Sequence, residues 1–253
     1  IVKKFYRTLY NRLEQIMLVS DADLERVRQV VPEHPGLSVM GDTRFDSVIE
    51  RREQLDPPQW PEGFGQGTLF VAGSTWPRDE ECIYPVLRKA LEQSPKLQLV
   101  LVPHEPTEEH LLHAETFFQG IPMVRWKNRD QAPPGLRILL IDTIGLLAGL
   151  YRGADIAYVG AGFTTGVHNT MEPASMGLPV FFGPRYDNAL EAKEMIELGC
   201  AFSIDSTESF ESRFLSLLQN PELTRKLGAQ AQQFIESQAH ASEQCLPAIL
   251  GNL

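Results

Sequence analysis

The order of apolar and polar positions along the chain predicts short buried strands that alternate with amphipathic helices. After residue 67, near-continuous apolar runs recur, and helical patterns separate most of them. The predicted strands are 68–72, 97–102, 122–126, 137–142, 155–160, 178–183 and 200–205. Strands that are apolar on both faces are typical of parallel sheets covered by helices on each side. The pattern therefore predicts an α/β fold with a parallel sheet.

The residues before this alternation differ from it in character. A helical pattern covers residues 1–15, and two short strand patterns are each followed by a helix, the first of which Ser20 caps. The stretch LDPPQWPEGFGQG is too rich in proline and glycine for a helix or a strand. We expect three parts, which are a separate N-terminal segment 1–54, a linker 55–67 and a ligand-binding domain 68–253.

Composition excludes several classes of partner. The formal net charge of −10 at pH 7 provides no basic field for a nucleic-acid backbone. No apolar run approaches the length that a transmembrane helix needs. The triplet Asp21-Ala22-Asp23 resembles a metal-binding DxD motif, but it begins a helix, where acidic residues are common. We expect no nucleic acid, no metal cofactor and no transmembrane segment, and hence a soluble fragment.

Five of the predicted strands are followed by residues that suit the binding of a nucleotide. In a parallel sheet ligands bind at the carboxyl ends of the strands, where helices begin. Four of these ends carry hydroxyl-bearing or basic side chains or backbone amides before a helix, namely Ser74, Thr75, His104, Thr143, the amides of Ile144 and Gly145, and Arg185. Asn188 is placed to cap the helix after the last of them. Together these ends indicate a nucleotide pocket.

The fifth strand end is the glycine-rich loop 160–184, GAGFTTGVHNTMEPASMGLPVFFGP. It is not a dinucleotide fingerprint, because Gly166 comes one position too late and no acidic residue ends the next strand. Gly162 and Gly166 instead allow the backbone to approach a ligand closely.

Within the same loop, Pro173 suits the first turn of a helix. Asn169 and Glu172 then stand at the helix start, where backbone N–H groups favour an anion and Glu172 is placed to accept two ribose hydroxyls. The alternative is that Glu172 merely caps the helix and the glycines merely form turns.

Four of these stretches, in this order and spacing, resemble one protein family. They are GDTRFD (41–46), AGSTW (72–76), DTIG (142–145) and HNTMEPASMGLPVFFGP (168–184). The chain resembles, from about residue 16 to residue 200, the 3-deoxy-D-manno-octulosonic acid (Kdo) transferases of lipopolysaccharide synthesis. The resemblance implies the C-terminal, donor-binding domain of a GT-B glycosyltransferase, which has a Rossmann-like sheet. It also implies transfer of Kdo from CMP-Kdo to lipid A precursor at the cytoplasmic face of the bacterial inner membrane.

The resemblance implies roles for individual residues as well. The residues that match the family's CMP site are Ser74, Thr75, His104, Ile144, Gly145, Asn169 and Glu172. The chain departs from the family in VPHEP, where many members have PRHPE, so a basic phosphate contact is missing or supplied elsewhere. It also has GAGF where many members have GGS. The family's acceptor domain, which carries a catalytic carboxylate, is almost wholly absent, because the resemblance makes residues 1–54 only a remnant of that domain and the interdomain segment. The base is therefore expected outside this chain.

Two other functions remain open at this stage. One is a different GT-B sugar-nucleotide enzyme, such as a UDP-sugar transferase or an epimerase. The other is a non-catalytic nucleotide-binding module that acts with another chain.

Overall fold

The computed structural model describes residues 2–251, which form two units. The larger unit is Arg51–Phe234, and the smaller joins the residues up to Glu50 to the residues from Ile235 onward. Within the smaller unit the Asp46 carboxylate accepts hydrogen bonds from the backbone N–H groups of His240 and Ser242, at 2.6 and 2.7 Å. The division therefore differs from the expected domain 68–253, because these contacts hold the C-terminal residues against the N-terminal ones.

The helices and strands alternate along the chain as the sequence pattern predicts. The helices are α1 Val2–Tyr10, α2 Asp21–Arg28, α3 Thr43–Gln54, α4 Pro77–Gln93, α5 Glu108–Phe117, α6 Leu147–Tyr151, α7 Met171–Ser175, α8 Leu190–Leu198, α9 Thr207–Gln219, α10 Pro221–Ser237 and α11 Ala241–Leu250. The strands are β1 Ile16–Leu18, β2 Leu37–Val39, β3 Thr68–Thr75, β4 Leu97–Pro103, β5 Met123–Arg125, β6 Ile138–Leu140, β7 Ile156–Val159, β8 Val180–Phe182 and β9 Ala201–Ser203. A short 3-10 helix, Trp126–Gln131, follows β5.

The larger unit contains a seven-stranded sheet in which every pairing is parallel. Its strand order is β5-β6-β4-β3-β7-β8-β9. The chain first builds the sheet outward from β3 through β4 to β5 and β6, and then returns to place β7 on the other side of β3. The order reverses between β3 and β7, and such a switch point opens a crevice at the carboxyl ends of the strands.

Both faces of this sheet are buried, which explains the apolar runs. Side chains alternate along each strand, so that Phe70 and Ala72 of β3 face one core and Leu69 and Val71 face the other. The first core includes residues of α4, α5 and α9, and the second includes residues of α6. The fold class expected from the sequence is confirmed.

Residues 55–67 contain no helix or strand, as their composition predicts. They pack against the larger unit, because Phe64 is buried in the second core and Trp60 packs on it. The Gln98 side chain also accepts a hydrogen bond from the backbone N–H of Gly65 at 2.8 Å.

The smaller unit contains the parallel pair β1–β2 and the helix α2. The Ser20 hydroxyl accepts a hydrogen bond from the Asp23 backbone N–H, so the cap predicted there is confirmed. Helix α1 ends at Tyr10, earlier than expected, and its apolar side chains Val2 and Phe5 are exposed. Among residues 2–251, no helix has both the length and the apolar character needed to cross a bilayer.

Candidate functional site

The predicted site residues stand at the carboxyl ends of five neighbouring strands in the larger unit. These strands are β6, β4, β3, β7 and β8, which are consecutive in the sheet. Since all of them are parallel, the segments that follow them emerge at the same edge. The two central strands, β3 and β7, flank the switch point, so the loop after each borders the crevice.

The ends of β3 and β7 contact each other through their backbones. A side chain on Gly160 would meet the Ser74 carbonyl oxygen at 1.9 Å, so this contact requires glycine. Ser74 and Ala161 both have left-handed backbones, with φ of 53° and 71°. Left-handed conformations of non-glycine residues store strain and often occur at functional sites. The predicted Ser74 therefore lies in a constrained turn at the switch point.

The Thr75 hydroxyl is used inside the protein. Thr75 is buried and donates a hydrogen bond of 2.9 Å to the Glu80 carboxylate, which is itself buried. Its backbone carbonyl accepts from the His104 N–H at 2.9 Å and so ties the end of β3 to the segment after β4. The sequence predicts Thr75 in the nucleotide site as a small hydroxyl residue, whereas in the structure its hydroxyl has an internal acceptor.

Asp79 is a fully buried carboxylate in the first turn of α4. It accepts hydrogen bonds from the Tyr158 hydroxyl at 2.7 Å and from the backbone N–H groups of Ala161 and Trp76, each at 2.9 Å. Burial raises the pKa of the Asp79 carboxyl, and these three donors oppose that rise. One side chain thus joins β7, the glycine-rich loop and the end of β3.

Three aromatic rings, Trp76, His104 and His168, form a stacked cluster at the edge, which we call the ring cluster. The His104 ring lies between the other two, with centroid distances of 4.6 Å to Trp76 and 4.7 Å to His168. The Trp76 indole N–H donates to His168 Nε2 at 3.3 Å. An indole only donates, so Nε2 carries no proton and His168 is neutral. Burial lowers the pKa of His168, and the neighbouring His104 lowers it further.

The glycine-rich loop owes part of its glycine content to packing. A side chain on Gly162 would meet the backbone of Gly183 at about 2.5 Å, so Gly162 is explained by this close contact with the end of β8. Gly166 has a left-handed φ of 115°, and a side chain there would meet Asn188. Contact of either glycine with a ligand stays a prediction.

Asn169 lies two residues before helix α7, and Glu172 lies in its first turn. The helix has five residues, with Pro173 in its first turn, so its dipole is small and the expected helix-dipole attraction for an anion is weak. The Asn169 side chain accepts from the Met171 backbone N–H at 3.0 Å. Glu172 Oε1 accepts from Arg51 Nη1 at 3.0 Å. Burial raises the pKa of Glu172, and Arg51 lowers it in part.

Arg185 follows the end of β8, and Asn188 does not have the capping role expected for it. Arg185 is exposed, and its Nη1 donates to the Thr164 carbonyl at 2.6 Å. Helix α8 starts at Leu190, and Ala189 is its N-cap, so the predicted cap at Asn188 is wrong. The Asn188 amide instead donates to the Val167 carbonyl at 2.9 Å and so ties the end of β8 to the glycine-rich loop.

The segment after β6 carries Thr143, Ile144 and Gly145. Ile144 is an apolar side chain with 80% of its surface exposed, and Gly145 has a left-handed φ of 88°. A cavity of about 320 Å³ lies beside Gly145 and is bordered by Trp126 and Arg129 among others. The segment is thus open to a ligand and adjoins a pocket.

Five residues with contacts at this edge are not among the site residues predicted from the sequence, namely Arg51, Trp76, Asp79, Glu80 and His168. Two of these had a visible signal, since Asp79 and Glu80 stand in the first turn of a helix directly after a strand end. No local pattern points to Arg51, because its partner Glu172 lies 121 residues further along the chain. Among residues 2–251, no group of three or more His, Cys, Asp or Glu side chains is arranged to hold a metal ion.

Known proteins resemble the chain in sequence. No protein-family model matches it. The 3-deoxy-D-manno-octulosonic acid transferase of Chlamydophila psittaci is 28% identical over 229 residues, which are 88% of this chain and 51% of that protein. The chain thus spans about half the length of this relative.

Solved structures resemble it in fold. The C-terminal CMP-Kdo binding domain of WaaA from Acinetobacter baumannii superposes with a TM-score of 0.61 at 25% identity, over 75% of this chain and 98% of that domain. The GtfA/B complex matches with a TM-score of 0.57 at 12% identity, over 98% of this chain and 47% of that one, which shows the GT-B fold alone. The chain therefore resembles the C-terminal half of a Kdo transferase, as its motifs predicted.

Proposed function

We propose that this chain is the donor-binding part of a glycosyltransferase that transfers Kdo from CMP-Kdo to lipid A precursor in lipopolysaccharide synthesis. The observation that carries the proposal is the grouping of five strand ends at the switch point of the sheet, in a chain similar to the C-terminal half of Kdo transferases. We further propose that the assembled enzyme works at the cytoplasmic face of the bacterial inner membrane, where its lipid acceptor is held.

The proposed CMP site is built from residues of these strand ends. Glu172 accepts the ribose hydroxyls, while Ser74, the loop around Gly162 and Gly166, and Asn169 surround the phosphate. His104 supplies a hydrogen-bond donor and Arg185 a positive charge, and Thr143, Ile144 and Gly145 contact the base. The backbone of Thr75 contributes to the site, since its hydroxyl already binds Glu80.

In the proposed reaction this site must stabilise a developing negative charge. An acceptor hydroxyl attacks the anomeric carbon of Kdo while CMP leaves, and charge grows on the departing phosphate. Donors that are fixed before the reaction stabilise that charge more than they stabilise the bound substrate. Asp79 contributes by fixing the Trp76 and Ala161 ends of two loops. We assign the general base to a group outside this chain, which spans about half the length of its curated relative. Asp79 and Glu80 are buried and hydrogen-bonded internally, so we do not assign the role to either of them.

Calorimetric titration with nucleotides tests the proposal. We expect CMP to bind more tightly than UMP or UDP, with the same affinity in EDTA, because loop amides and nearby cations can neutralise one phosphate without a metal. Preference for UDP would replace the proposal with a UDP-sugar enzyme, and absence of any nucleotide binding would overturn it. A tenfold loss of affinity in EDTA that magnesium restores would overturn the metal-independent binding.

A further inference from the structure

The ion pair between Arg51 and Glu172 lies inside the larger unit and joins α3 to α7. Arg51 Nη1 is 3.0 Å from Glu172 Oε1, and the two side chains are 56% and 17% exposed. Among the residues that the structure describes, Glu172 Oε2 has no hydrogen-bond partner. An ionised carboxylate offers about four acceptor positions. Arg51 therefore fills one part of the carboxylate and leaves the rest for another donor.

The surroundings of Glu172 make its ionisation depend on Arg51. Burial raises the pKa of the Glu172 carboxyl, and the Arg51 charge is the opposing influence. Tyr151 of α6 is buried, and its pKa is raised first by burial and then by the charge of Glu172. A protonated carboxyl would be a donor at one oxygen and would lose an acceptor that a diol needs.

We propose that Arg51 is a positioning residue for the donor ribose, which keeps Glu172 ionised and oriented so that it accepts both hydroxyls. The inference rests on the proposed function, because it assigns the ribose to Glu172. Arg51 acts through the carboxylate and does not itself touch the nucleotide. The competing possibility is that Arg51 occupies the place of the ribose and must leave before the nucleotide binds.

The pH dependence of CMP affinity separates these two roles. The ionised carboxylate binds the ribose, so the affinity for CMP is highest above the pKa of Glu172 and falls as the pH drops through that pKa. Removing Arg51 raises that pKa, so the fall begins at a higher pH. For Arg51→Ala we expect a loss of about fivefold or less at pH 8. At acidic pH the loss should grow to about tenfold for each unit of pKa increase.

Matched variants show whether the charge of Arg51 is responsible. The midpoint is the pH at which half of the affinity for CMP is lost. Arg51→Lys keeps the charge, so its midpoint should lie close to that of the parent protein. Arg52→Ala removes a neighbouring arginine that contacts α7 through the Ser175 carbonyl at 3.0 Å. It should leave the midpoint unchanged. The CMP phosphate also titrates at acidic pH, but alike in every variant.

Two ligand and variant arms complete the test. With 2′-deoxy-CMP the difference between Arg51→Ala and the parent should shrink, because one of the two hydroxyls is missing. In a Glu172→Gln background, Arg51→Ala should no longer move the midpoint. Tighter binding of CMP by Arg51→Ala at all pH values, or an unchanged midpoint, would overturn the inference. If Glu172→Gln binds CMP as well as the parent does, the ribose assignment itself fails, whatever Arg51 does.

Discussion

Two helices of the larger unit, α4 and α7, each carry acidic residues in the first turn near the same edge of the sheet. In α4, Asp79 is fully buried and accepts hydrogen bonds from three donors of the protein. In α7, Glu172 is partly exposed, and its partner among residues 2–251 is Arg51. An acidic residue in the first turn of a helix therefore has two different roles in this unit. A carboxylate whose acceptors are filled holds loops together, and one with unfilled acceptors is available to a ligand.

The largest effect should come from the filled carboxylate. Asp79→Ala leaves the Trp76 and Ala161 N–H groups and the Tyr158 hydroxyl without their acceptor, so we expect a loss of about 3 kcal/mol or more in unfolding free energy. Urea denaturation measures it. Glu81→Ala, an exposed change on the same helix, should stay within about 0.5 kcal/mol. Equal stability of the two variants would show that Asp79 does not hold the loops.

The unfilled carboxylate should behave in the opposite way. Glu172→Ala removes two charge-assisted hydrogen bonds to the ribose, so CMP affinity should fall by about 1.5–3 kcal/mol while the melting temperature changes little. Calorimetry and thermal denaturation give the two numbers, with Glu197→Ala as an exposed control. Unchanged affinity would contradict the ribose assignment. Weaker binding together with a much lower melting temperature would favour a purely capping role.

The adjacent residues Ser74 and Thr75 allow a finer version of the same comparison. Thr75→Val removes the hydroxyl that Glu80 accepts, so we expect a stability loss of about 1–2 kcal/mol and nearly unchanged CMP affinity. Ser74→Ala should keep stability within about 0.5 kcal/mol and weaken CMP binding severalfold. Denaturation and calorimetry on both variants check this. If Thr75→Val weakened CMP binding and left stability unchanged, the Thr75 hydroxyl would contact the ligand after all.

The smallest effect concerns His168. Its pKa is lowered in the folded protein, so the unfolded chain binds more protons as the pH falls below the ordinary histidine range, and folding stability is lost there. His168→Gln cannot titrate and should lack this acid-side loss. Melting temperatures between pH 5 and pH 8 measure it, and His104→Gln reports the part due to the stacked neighbour. Identical pH profiles for His168→Gln and the parent would show that His168 does not titrate on unfolding.

The sequence was sufficient for the fold because its signals are local. Each strand of the large sheet was recognisable as an apolar run, and the Ser20 cap depends on a residue three positions away. The assignment of residues 235–253 was different, since it depends on Asp46 contacting a segment about 194 positions later. The internal hydrogen bond of the Thr75 hydroxyl could not be predicted for a related reason. The sequence pattern does not show whether the Glu80 acceptor in the next helix is buried or exposed.

The ring cluster also gives this site an optical signal of its own. The chain has three tryptophans, and Trp76 is the one in the ring cluster, in contact with His104 and hydrogen-bonded to His168. An indole stacked on an imidazole loses excited-state electron density to that ring most readily when the imidazole is protonated. A bound anion that favours the protonated form of the stacked ring should therefore dim the emission of Trp76. Replacing Trp60 and Trp126 by phenylalanine would leave Trp76 as the single reporter of what enters the crevice.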